Sequence, residues 1–256
     1  MHRRRLLDAF ALFLERHLDY RVTTEPLRLR TGEPIRLRAE VSYQGKPLTR
    51  LPAGAIRVRV QRPTEGLGSI LRATKTAPKD STVAGDVLTP IQRKLETVSR
   101  KKLDRIAPKD VETIALVEQG RGVYTGTFEK STTPGSYGFE VLLDWDDRRT
   151  GRVRRTDRLE QHVGVKPDPA KTLVSMKRGA NRTLSISVTP RDAFGNYLGP
   201  GYASLISAEV VGDGSLVAGP PIDVALNGTY VFTATDVSSK TPRVEIKVDG
   251  VAVGRR

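Results

Sequence analysis

The stretch Gly122-Val123-Tyr124-Thr125-Gly126-Thr127-Phe128 decides the fold, because its pattern returns 106 positions later as Gly228-Thr229-Tyr230-Val231-Phe232-Thr233-Ala234. Each copy is followed by a proline, Pro134 or Pro242, and then by a run in which apolar and polar residues alternate. Alternation with a period of two after a turn is typical of a half-buried β-strand. Each copy therefore predicts a hairpin of an all-β unit, and the pair predicts two β-sandwiches.

A second pair of matching segments lies upstream of these hairpins. Alternating apolar residues lead from Ile35 into the turn Gly45-Lys46-Pro47-Leu48, and from Leu184 into Gly195-Asn196-Tyr197-Leu198. The two turns are 150 positions apart, whereas the later hairpins are 106 apart, so the first unit holds 44 extra residues. We therefore expect an insertion in the first unit, at about 62–110.

The residues of both copies resemble a known family. The Gly-x-Tyr, Pro-Gly and alternating pattern of 122–143 is similar to the late strands of filamin-type immunoglobulin-like repeats. The segment 188–199 is similar to a turn shared by filamin-like repeats and bacterial invasin-type immunoglobulin-like domains, and within it Asp192 is suited to an Asx turn. The resemblance implies an all-β fold of two tandem immunoglobulin-like (filamin-like) β-sandwiches, and functions such as stalks, spacers and adhesion or protein-binding modules.

The domain boundaries follow from the repeat and from one polar joint. Residues 21–166 are expected to form the first sandwich with its insertion, and residues 167–256 the second. The joint Lys166-Pro167-Asp168-Pro169 contains two prolines, as stiff linkers do. With 256 residues, each unit is long enough to close its own core.

Residues 1–20 are predicted to form an amphipathic N-terminal helix. Four apolar residues share one helical face, namely Leu7, Phe10, Leu14 and Leu18. We interpret this helix as docked on the first domain or left from an upstream neighbour, with a membrane-surface helix as the alternative.

The insertion contains a predicted basic helix of about 17 residues. Thr89 is suited to cap it, Pro90 to its first position, and apolar residues from Ile91 to Ile106 trace a stripe before Pro108. Basic residues are expected on the opposite, solvent-facing side: Arg93, Lys94, Arg100, Lys101 and Lys102.

The charge of the chain is uneven. The net charge is +14, of which residues 1–165 carry +11 and residues 166–256 carry +3. Strand patterns send further arginines outward in the first domain: Arg28, Arg30, Arg36, Arg38, Arg57 and Arg59. A polar loop is expected to add six more within eleven positions: Arg148, Arg149, Arg152, Arg154, Arg155 and Arg158. Such a surface is either a solvated face or a salt-dependent binding site for nucleic acid, anionic glycan or phospholipid headgroups.

The sequence offers few groups for catalysis. It has no cysteine, which excludes disulfides and thiolate sites, and only His162 of its three histidines lies inside a predicted domain. The acids Asp144, Asp146 and Asp147 suggest a cation patch, but the adjacent arginines favour an ion-paired loop instead. We expect no catalytic, cofactor or metal site and no transmembrane segment.

The leading hypothesis is therefore a non-catalytic spacer or adhesion-type binding module, the C-terminal part of a larger bacterial surface or secreted protein. Its expected partner is another protein or the neighbouring domains of a longer chain, and its expected place is extracellular, with a cytoplasmic location as the alternative. The second hypothesis is an electrostatic binder of an acidic polymer through the basic first domain.

Overall fold

The computed structural model describes residues 18–75, 88–147, 151–211, 215–216, 221–235, 237 and 243–255. Among them the chain forms two compact units. Unit 1 takes residues 18–62, 108–131 and 136–162, and unit 2 takes residues 63–107, 132–135 and 163–255.

Unit 1 contains a sandwich of two sheets. The strand order of the first is β1 (Leu18–Glu25), β3 (Ile35–Tyr43), β8 (Val123–Phe128) and β7 (Val117–Gly120), with β4 (Lys46–Pro47) paired to β3. The second has the order β2 (Leu29–Arg30), β10 (Gly151–Gly164), β9 (Gly135–Asp147), β5 (Ile56–Arg62) and β6 (Lys109–Ala115). The alternating apolar residues of β3, β5 and β9 are buried between the sheets.

Unit 2 repeats this architecture with fewer strands. One sheet has the order β11 (Leu173–Arg178), β12 (Leu184–Thr189), β15 (Tyr230–Thr235) and β14 (Ser215–Leu216). The other has the order β13 (Ile206–Val211), β16 (Arg243–Val248) and β17 (Val251–Arg255). The core between them includes Ile186, Val188, Tyr230, Val244, Ile246 and Val248.

Unit 2 also contains the helices of the insertion. These are α1 (Leu67–Ala73), α2 (Leu88–Glu96) and α3 (Arg100–Leu103); a single 3-10 turn, Ala203–Leu205, precedes β13. The whole insertion was expected to belong to the first domain, whereas its described residues 63–75 and 88–107 belong to the same unit as the second sandwich.

The two sandwiches share one strand order. The first sheet of unit 1 has the order β1-β3-β8-β7, which corresponds to β11-β12-β15-β14 in unit 2. In the second sheet, the order β10-β9-β5 corresponds to β17-β16-β13. These are the A-B-E-D and G-F-C sheets of the immunoglobulin fold. The predicted all-β, immunoglobulin-like fold class is confirmed.

The repeated Gly-x-Tyr motif has the same structural role in both units. The hydroxyl of Tyr124 donates a hydrogen bond to the carbonyl of Leu48 at 2.9 Å. The hydroxyl of Tyr230 donates to the carbonyl of Gly199 at 2.6 Å and accepts from the backbone N–H of Tyr202 at 2.9 Å. Tyr124 thus ties β8 to the segment that follows β3, and Tyr230 ties β15 to the segment that follows β12. Burial raises the pKa of both phenols.

These raised pKa values predict a loss of stability in alkali. The folded state keeps both phenols protonated above pH 10.0, where the unfolded chain ionises them, so the free energy of unfolding falls as the pH rises. Tyr230→Phe should lower that free energy by about 2 kcal/mol at pH 8, because it leaves two backbone groups unpaired, and should flatten the alkaline decline. Urea unfolding between pH 8 and about 11 measures both effects. The control is Tyr202→Phe, and an alkaline decline as steep in Tyr230→Phe as in the parent chain would contradict the assignment.

Two expectations about elements are wrong. The predicted helix over residues 1–20 does not include its last three residues, because Leu18–Glu25 pairs along its whole length with β3; the remainder of that helix lies outside the described residues. The stretch from Gly151 to Arg158 is strand β10 and not a loop, since it extends the hairpin with β9 beyond the buried core.

Candidate functional site

The candidate site is a shallow groove on the outer face of the sheet that contains β5, β6, β9 and β10. Its volume is ≈ 270 Å³. We call it the arginine groove and define it by its lining residues: Arg57, Arg59, Thr113, Glu140, Leu142, Arg154 and Thr156.

Strand alternation places these side chains together. In β5 the residues Ile56, Val58 and Val60 are buried, which leaves Arg57 and Arg59 on the outer face. Arg57 is opposite Leu142 of β9, and Arg59 is opposite Glu140 of β9 and Thr113 of β6. Arg154 and Thr156 complete the groove from β10.

Two ion pairs neutralise part of this face. Glu140 pairs with Arg59 at 2.9 Å, and Asp144 accepts two hydrogen bonds from Arg152, at 2.8 and 2.7 Å. The hydrogen bond from Arg152 holds the pKa of Asp144 below its usual value, and the charges of Arg154 and Arg57 act in the same direction. Asp144 is thus ion-paired, but with Arg152 of β10; the adjacent arginines expected to pair with the acidic residues, Arg148 and Arg149, lie outside the described residues.

Arg57 and Arg154 remain available to a ligand. Within the described ranges neither guanidinium has an ion pair or a hydrogen bond. The charged residues that line the groove, Arg57, Arg59, Arg154 and Glu140, have a net charge of +2, and it is concentrated on Arg57 and Arg154 because Glu140 neutralises Arg59.

The structure separates the arginines that the sequence grouped together. Arg154 lies in the groove and Arg152 beside it, whereas Arg155 and Arg158 are exposed on β10 and do not line it. Arg148 and Arg149 lie outside the described residues. Arg57 and Arg59 were expected to point outward from their strand but were not among the predicted site residues, and they are the missed members of the site. Strand alternation marked their direction, but only the pairing of β5 with β9 brings them near Arg154.

The cations of the insertion belong to unit 2. The expected helix of about 17 residues is two helices, α2 and α3, separated by Thr97, Val98 and Ser99. The Thr97 hydroxyl donates to the Lys94 carbonyl at 2.7 Å, Val98 is buried, and Ser99 has extended backbone, so the helix ends there. Exposed basic residues of the two helices are Arg93, Arg100 and Lys101, with Lys102 half-buried.

Lys94 was expected on the solvent face, and this expectation is wrong. Its side chain is buried, and its ammonium group donates to the carbonyls of Ala225 and Leu226, at 2.8 Å each. Burial lowers the pKa of Lys94, and the nearby carboxyl of Asp223 partly offsets this. Because the backbone of unit 2 satisfies this cation, Lys94 is a structural residue and not a contact for a polymer.

Helix α1 packs on the same unit through a glycine. A Cβ on Gly68 would lie 2.2 Å from the carbonyl oxygen of Tyr197 and 2.9 Å from the backbone nitrogen of Gly199. Four residues along the helix, Arg72 donates to the hydroxyl of Thr229 at 2.9 Å, and its guanidinium lies 4.6 Å from the centre of the Tyr197 ring. Both helical segments are therefore built into the second sandwich.

The Asx turn expected at Asp192 is present. This buried carboxylate accepts hydrogen bonds from the backbone N–H groups of Phe194 and Asn196, at 2.9 and 2.8 Å. The same turn contains Gly195 with a positive φ of 88°. The residue thus stabilises the turn and is not a binding group.

Other signals of chemistry are weak in the described part of the chain. His162 is exposed on β10. Among the described residues there is no group of three or more histidine, aspartate and glutamate side chains placed to hold a metal ion. No described helix has both the length and the apolar character needed to cross a membrane.

Comparisons with known proteins give structural neighbours only. No family model and no curated protein matches the sequence. The Escherichia coli adhesin FdeC is similar over 93% of this chain and 62% of that one, with 17% identity and a TM-score of 0.45. The Yersinia pseudotuberculosis adhesin InvE is similar over 95% and 59%, with 12% identity and a TM-score of 0.34. Invasin, a bacterial integrin-binding protein, is similar over 93% and 37%, with 14% identity and a TM-score of 0.32. The chain thus spans less than two thirds of each of these structures.

Proposed function

We propose that this chain is a non-catalytic pair of immunoglobulin-like modules in a bacterial surface or secreted protein, where it serves as a spacer or an adhesion-type binding module. The observation that carries the proposal is the structural role of the repeated Gly-x-Tyr motif. In each unit the tyrosine of this motif, Tyr124 or Tyr230, donates a hydrogen bond that holds a turn of the sandwich. Repetition has therefore preserved a scaffold, and partner binding is expected on surfaces that differ between the copies.

Protease shaving of the source bacterium tests this location. The chain has 43 lysine and arginine residues, so trypsin has many cleavage sites in any exposed segment. We expect its peptides to be released from intact cells, or to be found in the culture medium, before a cytoplasmic marker protein appears. Release only after lysis, together with that marker, would contradict a surface or secreted role.

A second candidate function, binding of an acidic polymer, is favoured by the arginine groove. Two guanidiniums without a partner among the described residues, together with the net charge of +11 over residues 1–165, supply the attraction that such a ligand requires. The first domain is expected to bind more strongly than residues 167–256, because residues 166–256 carry only +3.

A further inference from the structure

The arginine groove has a spacing of charge that fits a chain of separated anionic groups. Arg57 and Arg59 are two residues apart on β5, which puts their Cα atoms about 7 Å apart. Arg57 and Arg154 are separated by the intervening strand β9, which puts their backbones about 10 Å apart. These two cations, neither of which is paired among the described residues, can each bind a separate anionic group, so they suit anionic groups on neighbouring units of a polymer.

The remaining lining residues indicate which polymer. Glu140 offers carboxylate oxygens that accept hydrogen bonds, and Thr113 and Thr156 offer hydroxyls that donate and accept. Leu142 gives the floor one apolar side chain. A ligand with hydroxyl groups and C–H faces between its anionic groups satisfies all of these, and that is the chemistry of an acidic sugar chain.

DNA fits the same groove less well. The Glu140 carboxylate repels any polyanion, and DNA, unlike a sugar chain, has no hydroxyl beside its anionic groups to donate to this carboxylate. None of the seven lining residues is aromatic, so the groove has no ring on which an unpaired base can stack.

We propose that the arginine groove binds an anionic polysaccharide, with Arg57 and Arg154 on its acidic groups and Glu140 on its sugar hydroxyls. This inference rests on the second candidate function and names the site and ligand class for it. It does not depend on the spacer or adhesion function, because binding is tested with the purified chain alone, whatever its location in the cell.

The test is affinity for a heparin oligosaccharide and for duplex DNA, measured across salt concentrations by titration calorimetry with the full chain. In the double variant Arg57→Gln/Arg154→Gln, heparin affinity should fall by at least about tenfold, and the salt slope should fall by about two. The matched control is Arg21→Gln/Arg36→Gln, which removes the same charge from two exposed arginines of β1 and β3 in the other sheet and should change affinity by less than about threefold.

Glu140→Leu separates the two ligand classes. It removes both acceptor oxygens together with the negative charge, so DNA binding should strengthen, whereas heparin should lose its hydroxyl contacts and gain less than DNA or weaken. Equal strengthening of both would overturn the assignment to a sugar. Heparin binding that the groove variant does not change would overturn the groove as the site while leaving polymer binding in place. Failure of the parent chain to bind either polymer would overturn both. Circular dichroism and urea unfolding establish that each variant is folded.

Discussion

Alanine in place of Gly122 should unfold unit 1 or come close to it, with a loss of about 4 kcal/mol in the free energy of unfolding. Gly122 has a φ of +74°, and a Cβ there would lie 2.4 Å from the carbonyl oxygen of Val41. The backbone cannot move away easily, because the N–H of Val41 donates to the carbonyl of Gly122 at 2.8 Å. Trp145, the only tryptophan, lies in β9 of unit 1, so its fluorescence reports this unfolding directly.

Gly45→Ala is the matched control for Gly122→Ala. Gly45 has nearly the same backbone angle, φ +72°, but no atom lies within 4 Å of its Cβ position. It should cost only about 1 kcal/mol, from the positive φ alone. The same comparison in unit 2 sets Gly228→Ala, whose Cβ would lie 2.9 Å from the Cα of Gly199, against Gly250→Ala, whose Cβ meets nothing. Equal losses within either pair would show that close backbone approach is not what the repeated motif requires of its glycine.

Lys94→Ala should destabilise unit 2 by about 3 kcal/mol. The substitution leaves the carbonyls of Ala225 and Leu226 without their donor and opens a cavity beneath α2. The affected turn leads directly into Gly228 and Tyr230, so hydrogen exchange of the amides in β15 should accelerate with the global loss. Far-UV circular dichroism in urea measures the stability, and exchange mass spectrometry measures the local effect.

Two companion variants make the Lys94 result specific. Lys94→Met keeps most of the buried aliphatic volume and removes the donors, so its loss should come mainly from the two carbonyls. Lys101→Ala removes an exposed cation from α3 and should change stability by less than about 0.5 kcal/mol. If Lys94→Ala were as mild as Lys101→Ala, the α2 helix would not be an integral part of unit 2.

Strands whose apolar residues alternate could be predicted from the sequence, since burial of one face imposes the pattern. This holds for Ile35 to Val41, for Ile56 to Val60 and for Val123 to Phe128. The sequence does not predict β11 in the same way, because this strand lies at the edge of its sheet and has no fully buried residue. The first three residues of β1 were assigned to the N-terminal helix because Leu18 lies four positions after Leu14 and continues its apolar helical face.

The site could be predicted only in part, because its members meet through long-range pairing. The outward direction of Arg57 follows from local alternation, but its proximity to Arg154 depends on β9 lying between their strands. Lys94 shows the opposite case. A lysine on an amphipathic helix is expected in water, and nothing local indicates that the carbonyls 131 and 132 positions later require a donor.

Residues 63–75 and 88–107 belong to unit 2, and this limits how the two modules can be inherited separately. Tandem modules that arise by duplication are ordinarily free to be shuffled, because a cut at the linker leaves each half complete. Here a cut within 166–169 would leave the second sandwich without α1, α2 and the ammonium group that its turn at Ala225 requires. Recombination at that joint would therefore produce a second sandwich that lacks part of its fold. We expect natural rearrangements to keep the two sandwiches together in one gene segment.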